Sequence, residues 1–327
     1  MDFQLSDDQR ALRAGVRELL AGRFGRDRMR AALDSGRGID RALWRELGEA
    51  GFFALRLPET EGGVGLGLPE AVLLFEEAGR SLLPGPLIAT HLTAGAVKGA
   101  AEGETVVTVL DAGQPVAHLG EADGLLVLGP GEVRAPGPGP EQGEARAVTG
   151  GALRDVVREA VGPVRSLDPF TPLWRVTGPV GPGELLSGGA RLRDEGALLA
   201  AAEQLGSAAR TTEMAVQHAG EREQFGSPIG SFQAVKHLCA GMLVRAELAR
   251  SAVYAAAVTA DRVEIAGAKL LADDAAVRNA RDCLQVYGGM GFTWEADVHL
   301  HLKRAWLRCG QWLTAAASEE ALAADLC

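Results

Sequence analysis

Arg222-Glu223-Gln224-Phe225-Gly226, continued by Pro228-Ile229 and Phe232-Gln233, is one of two glycine-centred stretches on which the reading of this chain turns. The other is Gln285-Val286-Tyr287-Gly288-Gly289-Met290-Gly291-Phe292, closed by Glu295. Both break into a long helical pattern. Leu198, Leu199, Ala202, Leu205, Ala209 and Val216 recur at helical spacing before the first stretch. Phe232, Val235, Leu238, Met242, Ala246 and Ala249 form a second stripe, and Ile265, Leu271, Ala275 and Cys283 a third. Long helices with short breaks predict a four-helix bundle over residues 189–327.

Further upstream, residues 1–100 also read as helical. Ser6 with Gln9 gives a capping-box pattern ahead of Leu12, Val16, Leu19 and Leu20. A second helix is predicted from Asp40, carrying Leu43, Trp44 and Leu47 and stopped by Gly51. Pro69 suits the first turn of a third, with Val72, Leu73, Phe75 and Glu76. The glycine run Gly62-Gly63-Val64-Gly65-Leu66-Gly67 follows no strand and ends in no Gly-Lys-Ser/Thr. It therefore reads as a tight connection and not a phosphate loop. Residues 101–188 change character. Ten of the fifteen prolines fall between Pro115 and Pro182, and short runs such as Val106-Val107-Thr108-Val109 and Leu125-Leu126-Val127-Leu128 are set apart by Gly and Pro. This predicts a small β-rich domain with long turns, the longest at Gly129–Pro140. The fold class is mainly α with a small β domain.

A net charge of −10 leaves no basic excess for phosphate backbones or anionic membranes, and 47 % hydrophobic residues suffice for a sizeable core. Cys239, Cys283, Cys309 and Cys327 have neither metal-site nor redox spacing and read as buried small hydrophobes of a reducing cytosol. Met1-Asp2-Phe3-Gln4-Leu5-Ser6-Asp7-Asp8 is not a secretory signal, and no apolar run approaches the roughly 20 residues of a membrane span. A cytoplasmic protein is expected. His299 and His301 are two apart and do not share a helix face; His237 reads as a surface or packing histidine; His91, His118 and His218 stand alone. No metal site or Ser-His-Asp arrangement is predicted.

The two motifs in this order resemble parts of a flavoenzyme family, and the flavin dinucleotide this implies needs cations for its phosphates, amide donors, and glycines that permit close approach. Arg222 can supply charge, Gln224, Gln233 and Gln285 hydrogen bonds, Phe225 a packing plane, and Gly288 and Gly289 access. By itself Gly226-Ser227-Pro228 is a turn, Gly288-Gly289 a helix end and Arg222 a surface charge. Their joint order, with Leu57–Arg80 upstream, resembles the acyl-CoA dehydrogenases. The resemblance spans about residues 5–95 and 190–305. It implies an N-terminal helical domain (1–100), a reduced middle β-domain (101–188) and the C-terminal four-helix bundle (189–327). It also implies FAD shared across a subunit interface, contacted by Arg222, Gln224, Phe225, Phe232, Gln233, Gln285, Gly288 and Gly289.

Two family features are missing. The middle segment lacks the Thr-Glu-Pro and Gly-Ser-Asp segments that hold the flavin ring. The Glu-Gly-Thr that carries the family's base is replaced, in an ungapped count, by Trp312-Leu313-Thr314. The family's other base position lies twenty-six residues before the motif arginine and falls on Gly196, beside Glu195. Glu195 could serve as the base only if the register shifts by one residue, about a 100° turn of the helix, and is otherwise a charge favoured by the helix N-terminus. The pattern resembles the shortened, non-catalytic subunit of actinobacterial heteromeric acyl-CoA dehydrogenases. That resemblance implies α,β-dehydrogenation of an acyl-CoA, with steroid side-chain thioesters among the substrates. It implies an α2β2 heterotetramer with a full-length catalytic subunit, and electron-transfer flavoprotein as acceptor. Two alternatives stand beside it: a self-sufficient homomeric dehydrogenase using Glu195 or a C-terminal acid such as Glu319, and a flavin-free scaffold of the same fold.

Overall fold

Residues 4–36, 38–111, 113–129 and 144–326 are described by the structure, a computed structural model. The turn expected at Gly129–Pro140 lies, beyond Gly129, outside the described residues, as do Met1, Asp2, Phe3 and Cys327. The helices in chain order are α1 (Asp7–Arg23), α2 (Arg26–Ser35), α3 (Arg41–Glu49), α4 (Leu68–Arg80), α5 (Leu87–Leu92), α6 (Gly150–Glu159), α7 (Gly189–Glu221), α8 (Gln233–Thr259), α9 (Arg262–Tyr287), α10 (Val298–Arg308) and α11 (Ala315–Asp325). The strands are β1 (Val107–Asp111), β2 (Val116–Ala117), β3 (Gly124–Leu128), β4 (Ala145–Thr149), β5 (Val161–Val164), β6 (Leu173–Arg175), β7 (Glu184–Leu186), β8 (Glu223–Gln224) and β9 (Ser227–Pro228).

Local signals explain the helix ends. The backbone N–H of Gln9 donates to Ser6 Oγ and that of Ser6 to Gln9 Oε1, both at 3.1 Å, a reciprocal capping box at α1. Asp40 accepts from the N–H groups of Ala42 and Leu43 and starts α3; Gly51 then turns the chain at φ +78°. Three helices carry too little periodicity to be predicted. In α2 only Met29 and Leu33 are buried, and α5 is six residues long. In α6 only Leu153 and Val156 are buried, behind a Gly-Gly start that reads as a turn. The second predicted helix is therefore the third, and the β-rich segment contains a helix.

The chain folds into two compact units. One comprises the described N-terminus to Gly22, Val72–Leu83 and everything from Ala197 onward; the other comprises Arg23–Ala71 and Pro84–Gly196. In the second unit β1, β3, β4 and β7 form a sheet in that order, with β1 and β3 parallel and the other pairs antiparallel. A smaller antiparallel sheet runs β2-β6-β5. Leu125, Val127 and Val148 pack with Leu153 and Val156 of α6 to form its core.

In the first unit α8 pairs with α9, and α10 and α11 pack on α9. Helices α4 and α7 meet at a pair of glycines. A Cβ on Gly79 would lie 2.0 Å from the Glu203 carbonyl oxygen, and one on Gly206 1.8 Å from that of Glu76. Each glycine thus clears the other helix's backbone. Three residues of the predicted buried stripes are instead exposed: Val216 (53 %), Phe232 (38 %) and Leu271 (44 %). Towards the end of α7 burial passes to Met214, Ala215 and Ala219, because periodicity marks an apolar face without saying where its cover ends. Among the described residues no helix is long and apolar enough to cross a membrane.

Candidate functional site

The first motif is a hairpin set on the end of α7. The Arg222 N–H donates to the His218 carbonyl at 2.9 Å, the helix stops, and β8 turns back into β9 with Gln224 opposite Ser227. The two turn residues, Phe225 and Gly226, have φ of +52° and +78°, the pattern of a two-residue type I′ hairpin. Gly226 adopts this freely. Phe225 does not, since a positive φ costs a bulky L-residue about 1–2 kcal/mol. Burial does not compensate, because Phe225 is 93 % exposed, and its ring meets the edge of Phe232 with centroids 6.0 Å apart. A strained, solvent-facing phenylalanine therefore sits at the hairpin tip. Phe225→Asn, which tolerates this backbone, is expected to keep or raise the melting temperature while lowering flavin content. Calorimetry with flavin absorbance on the same sample checks it.

Behind the hairpin, the Ile229 N–H donates to the Arg222 carbonyl at 2.8 Å, and the Ile229 side chain is buried. Ile229 shares a hydrophobic cluster with Met214, Ala219, Leu284, Val286 and Tyr287. This cluster joins the two motifs, since its last three residues precede Gly288. Helix α9 ends at Tyr287, and Gly288 takes φ +60° and ψ −142°, a region open only to glycine. Added Cβ atoms at Gly288 and Gly289 would meet nothing within 4 Å. The backbone there is open. The Gly288 conformation demands glycine, whereas none of the described residues crowds Gly289.

Every residue named for the cofactor is exposed at this end of the unit: Arg222, Gln224, Phe225, Phe232, Gln233, Gln285, Gly288 and Gly289. Arg222 makes no ion pair among the described residues, and Gln233 Nε2 lies 3.5 Å from His237 Nε2. The set suits a flavin dinucleotide: a free guanidinium for phosphate, side-chain amides, exposed aromatic rings and open glycine backbone. The sequence reading passed over His218. Its ring stacks on Tyr287, centroids 4.1 Å apart and planes 15° from parallel. The available signal was its spacing of four from Arg222, one helical turn.

The two base positions look different. Trp312 is buried, 6 % exposed, at φ +64° in the turn between α10 and α11. Glu195, in the other unit, is also buried, but not as a helix-terminal charge. Arg56 Nη1 and Nη2 donate to its two oxygens at 2.8 and 3.1 Å, and Arg191 Nε donates at 2.7 Å. Burial pushes the Glu195 carboxyl up, but the hydrogen bonds and charge of Arg56, then of Arg191, outweigh it and hold it below its ordinary 4.5. Its stabilisation is therefore present above the unfolded-state value and lost as pH falls through the lower folded value. Glu195→Gln is expected to cost about 2–3 kcal/mol at neutral pH, and less as pH drops below that ordinary 4.5. Thermal melts of both proteins between pH 7 and the acid limit check this. Glu319 is exposed on α11.

The profile described as acyl-CoA dehydrogenase, N-terminal domain, matches residues 6–102, and the C-terminal domain profile matches residues 192–309. The acyl-CoA dehydrogenase IpdE2 of Mycobacterium tuberculosis is 37 % identical over 306 residues, covering 91 % of each chain. The chain belongs to the acyl-CoA dehydrogenase family. FAD is the cofactor of this family, and its reaction is oxidation at a CH–CH bond. Two solved structures share the fold. The ChsE4-ChsE5 complex of Mycobacterium tuberculosis has a TM-score of 0.84 at 23 % identity, covering 100 % of this chain and 99 % of that one. The Tcur3481-Tcur3483 steroid enzyme has a TM-score of 0.83 at 24 % identity, covering 98 % of both.

Proposed function

We propose that this chain is the non-catalytic subunit of a heteromeric acyl-CoA dehydrogenase. It supplies FAD contacts and an interface, and a full-length partner supplies the catalytic glutamate. The observation that carries the reading is the contrast between the two ends of its chemistry. The flavin motifs are intact and face outward, while the base position holds a buried indole with no proton-accepting group. Glu195 does not replace it, because both of its oxygens already accept from guanidinium groups and its basicity is reduced.

The reaction needs an α-proton acceptor and a β-hydride acceptor. Bound FAD supplies the hydride acceptor. This chain's part is to hold that cofactor: Arg222 would neutralise phosphate charge, Gln224, Gln233 and Gln285 would donate hydrogen bonds, and Phe225 and Phe232 would offer packing surfaces. The proton passes to the partner's glutamate. Leu243 (54 %), Val244 (57 %) and Leu248 (57 %) leave an apolar strip exposed along α8, which favours a partner over a free chain. The assembly expected is α2β2, with two FAD molecules and closed two-fold symmetry. Substrate and acceptor follow the same reading: an acyl-CoA of the steroid side-chain class, one fold neighbour being named for steroids, and electron-transfer flavoprotein.

Co-expression with a full-length family member that carries Glu-Gly-Thr tests the proposal. Light scattering with flavin quantitation should give four chains and two flavins. A flavin-loaded homo-oligomer of this chain alone would refute it.

A further inference from the structure

We infer that His218 and Tyr287 form a stacked clasp that holds the two flavin motifs in register, making His218 a positioning residue for the cofactor. The inference rests on the flavin role proposed above and goes beyond the motif residues themselves.

The geometry is specific. His218 lies in the last turn of α7, and its carbonyl accepts from the Arg222 N–H at 2.9 Å, so its backbone sets where the arginine leaves the helix. Its ring lies flat against Tyr287 at 4.1 Å. Tyr287 is the last residue of α9, and the next residue is Gly288, with its glycine-only backbone. Thus one ring pair, sixty-nine residues apart in sequence, ties the exit of the Arg222 hairpin to the exit of the Gly288-Gly289 turn. Both rings are only half-buried. A core packing role would bury them fully; Tyr287 packs against the cluster that holds Ile229, Leu284 and Val286, and His218 is tied to it through the stack. The proton affinity of the imidazole is also reduced. Burial lowers its proton affinity, and Arg222 lowers it further against the weaker pull of Glu221. The shift disfavours a second cation beside the guanidinium. Motion of one motif relative to the other would have to break this contact, so the clasp pre-pays the ordering of two separate loops around one ligand.

The test is an FAD titration, read by quenching of flavin fluorescence, on the assembled complex of the full chain. Variants are His218→Ala, Tyr287→Ala, the double variant, His218→Phe and Arg222→Ala. His218→Ala and Tyr287→Ala should each weaken FAD by about two- to ten-fold, the range of an aromatic stack. The double variant should be no worse than either single one, because all three lose the same contact. His218→Phe, which keeps a flat neutral ring, should bind as the parent does, with melting temperature unchanged throughout. Additive losses, or a His218→Phe variant as weak as His218→Ala, would overturn the clasp. If Arg222→Ala weakens FAD and His218→Ala does not, the clasp fails and the flavin role stands. If neither weakens it, both fail.

Discussion

Purified without a partner, the chain is expected to dehydrogenate acyl-CoA no faster than background. A positioned general base contributes about 10²–10⁴ in rate, and on the reading proposed above neither family base position of this chain supplies one. Trp312 is buried and cannot abstract a proton, and Glu195 is clamped between Arg56 and Arg191. In the assembled complex Glu195→Gln should leave kcat within a few-fold, whereas replacing the partner's glutamate should abolish turnover. Steady-state assays with an artificial electron acceptor separate the two. If Glu195→Gln abolishes activity while fold and flavin survive, Glu195 is the base and the self-sufficient enzyme becomes the better reading.

Gly206→Val is expected to eliminate the folded protein. The added Cβ alone would sit 1.8 Å from the Glu76 carbonyl oxygen, and that oxygen belongs to helix backbone, which cannot swing aside. Relief requires moving α4 off α7 and opening the contact that Gly79 makes against Glu203. Overpacking of this kind costs more than the usual 1–3 kcal/mol and consumes much of a total stability of about 5–15 kcal/mol. Gly15 is the control: it is exposed in α1, and a Cβ there meets nothing within 4 Å. Gly15→Ala should therefore stabilise by about 0.5–1 kcal/mol through helix propensity. Soluble yield and circular dichroism melts of the two variants check the pair. A folded Gly206→Val with an unchanged melting temperature would show that α4 and α7 do not depend on this approach.

The candidate site was legible wherever its residues are neighbours in sequence. The Arg222 hairpin and the Gly288-Gly289 helix end come from short motifs that survive without knowledge of packing, as does Trp312 at the ungapped position of the family's base. His218 was set aside because its partner, Tyr287, lies on another helix. Phe225 was read as a packing plane, but its left-handed backbone follows from the closure of the β8–β9 hairpin. The exposure of Val216 and Leu271 was illegible for a related reason: an apolar stripe has the same period whether a neighbour covers it or not.

By itself the sequence determined what local chemistry controls: the capping box at Ser6, the Asp40 cap, the long helices from their period, the change to short strands after residue 101, and the identity of both motifs. Tertiary structure alone decided the rest. It placed Arg56 against Glu195 across 139 residues, seated Gly206 on the Glu76 carbonyl, and stacked His218 on Tyr287. Helix periods and caps are set by interactions within a few residues. The pairing of a buried charge, the clearance of a glycine and the stacking of two rings depend on how distant segments meet, and no window of sequence contains both halves of such a contact.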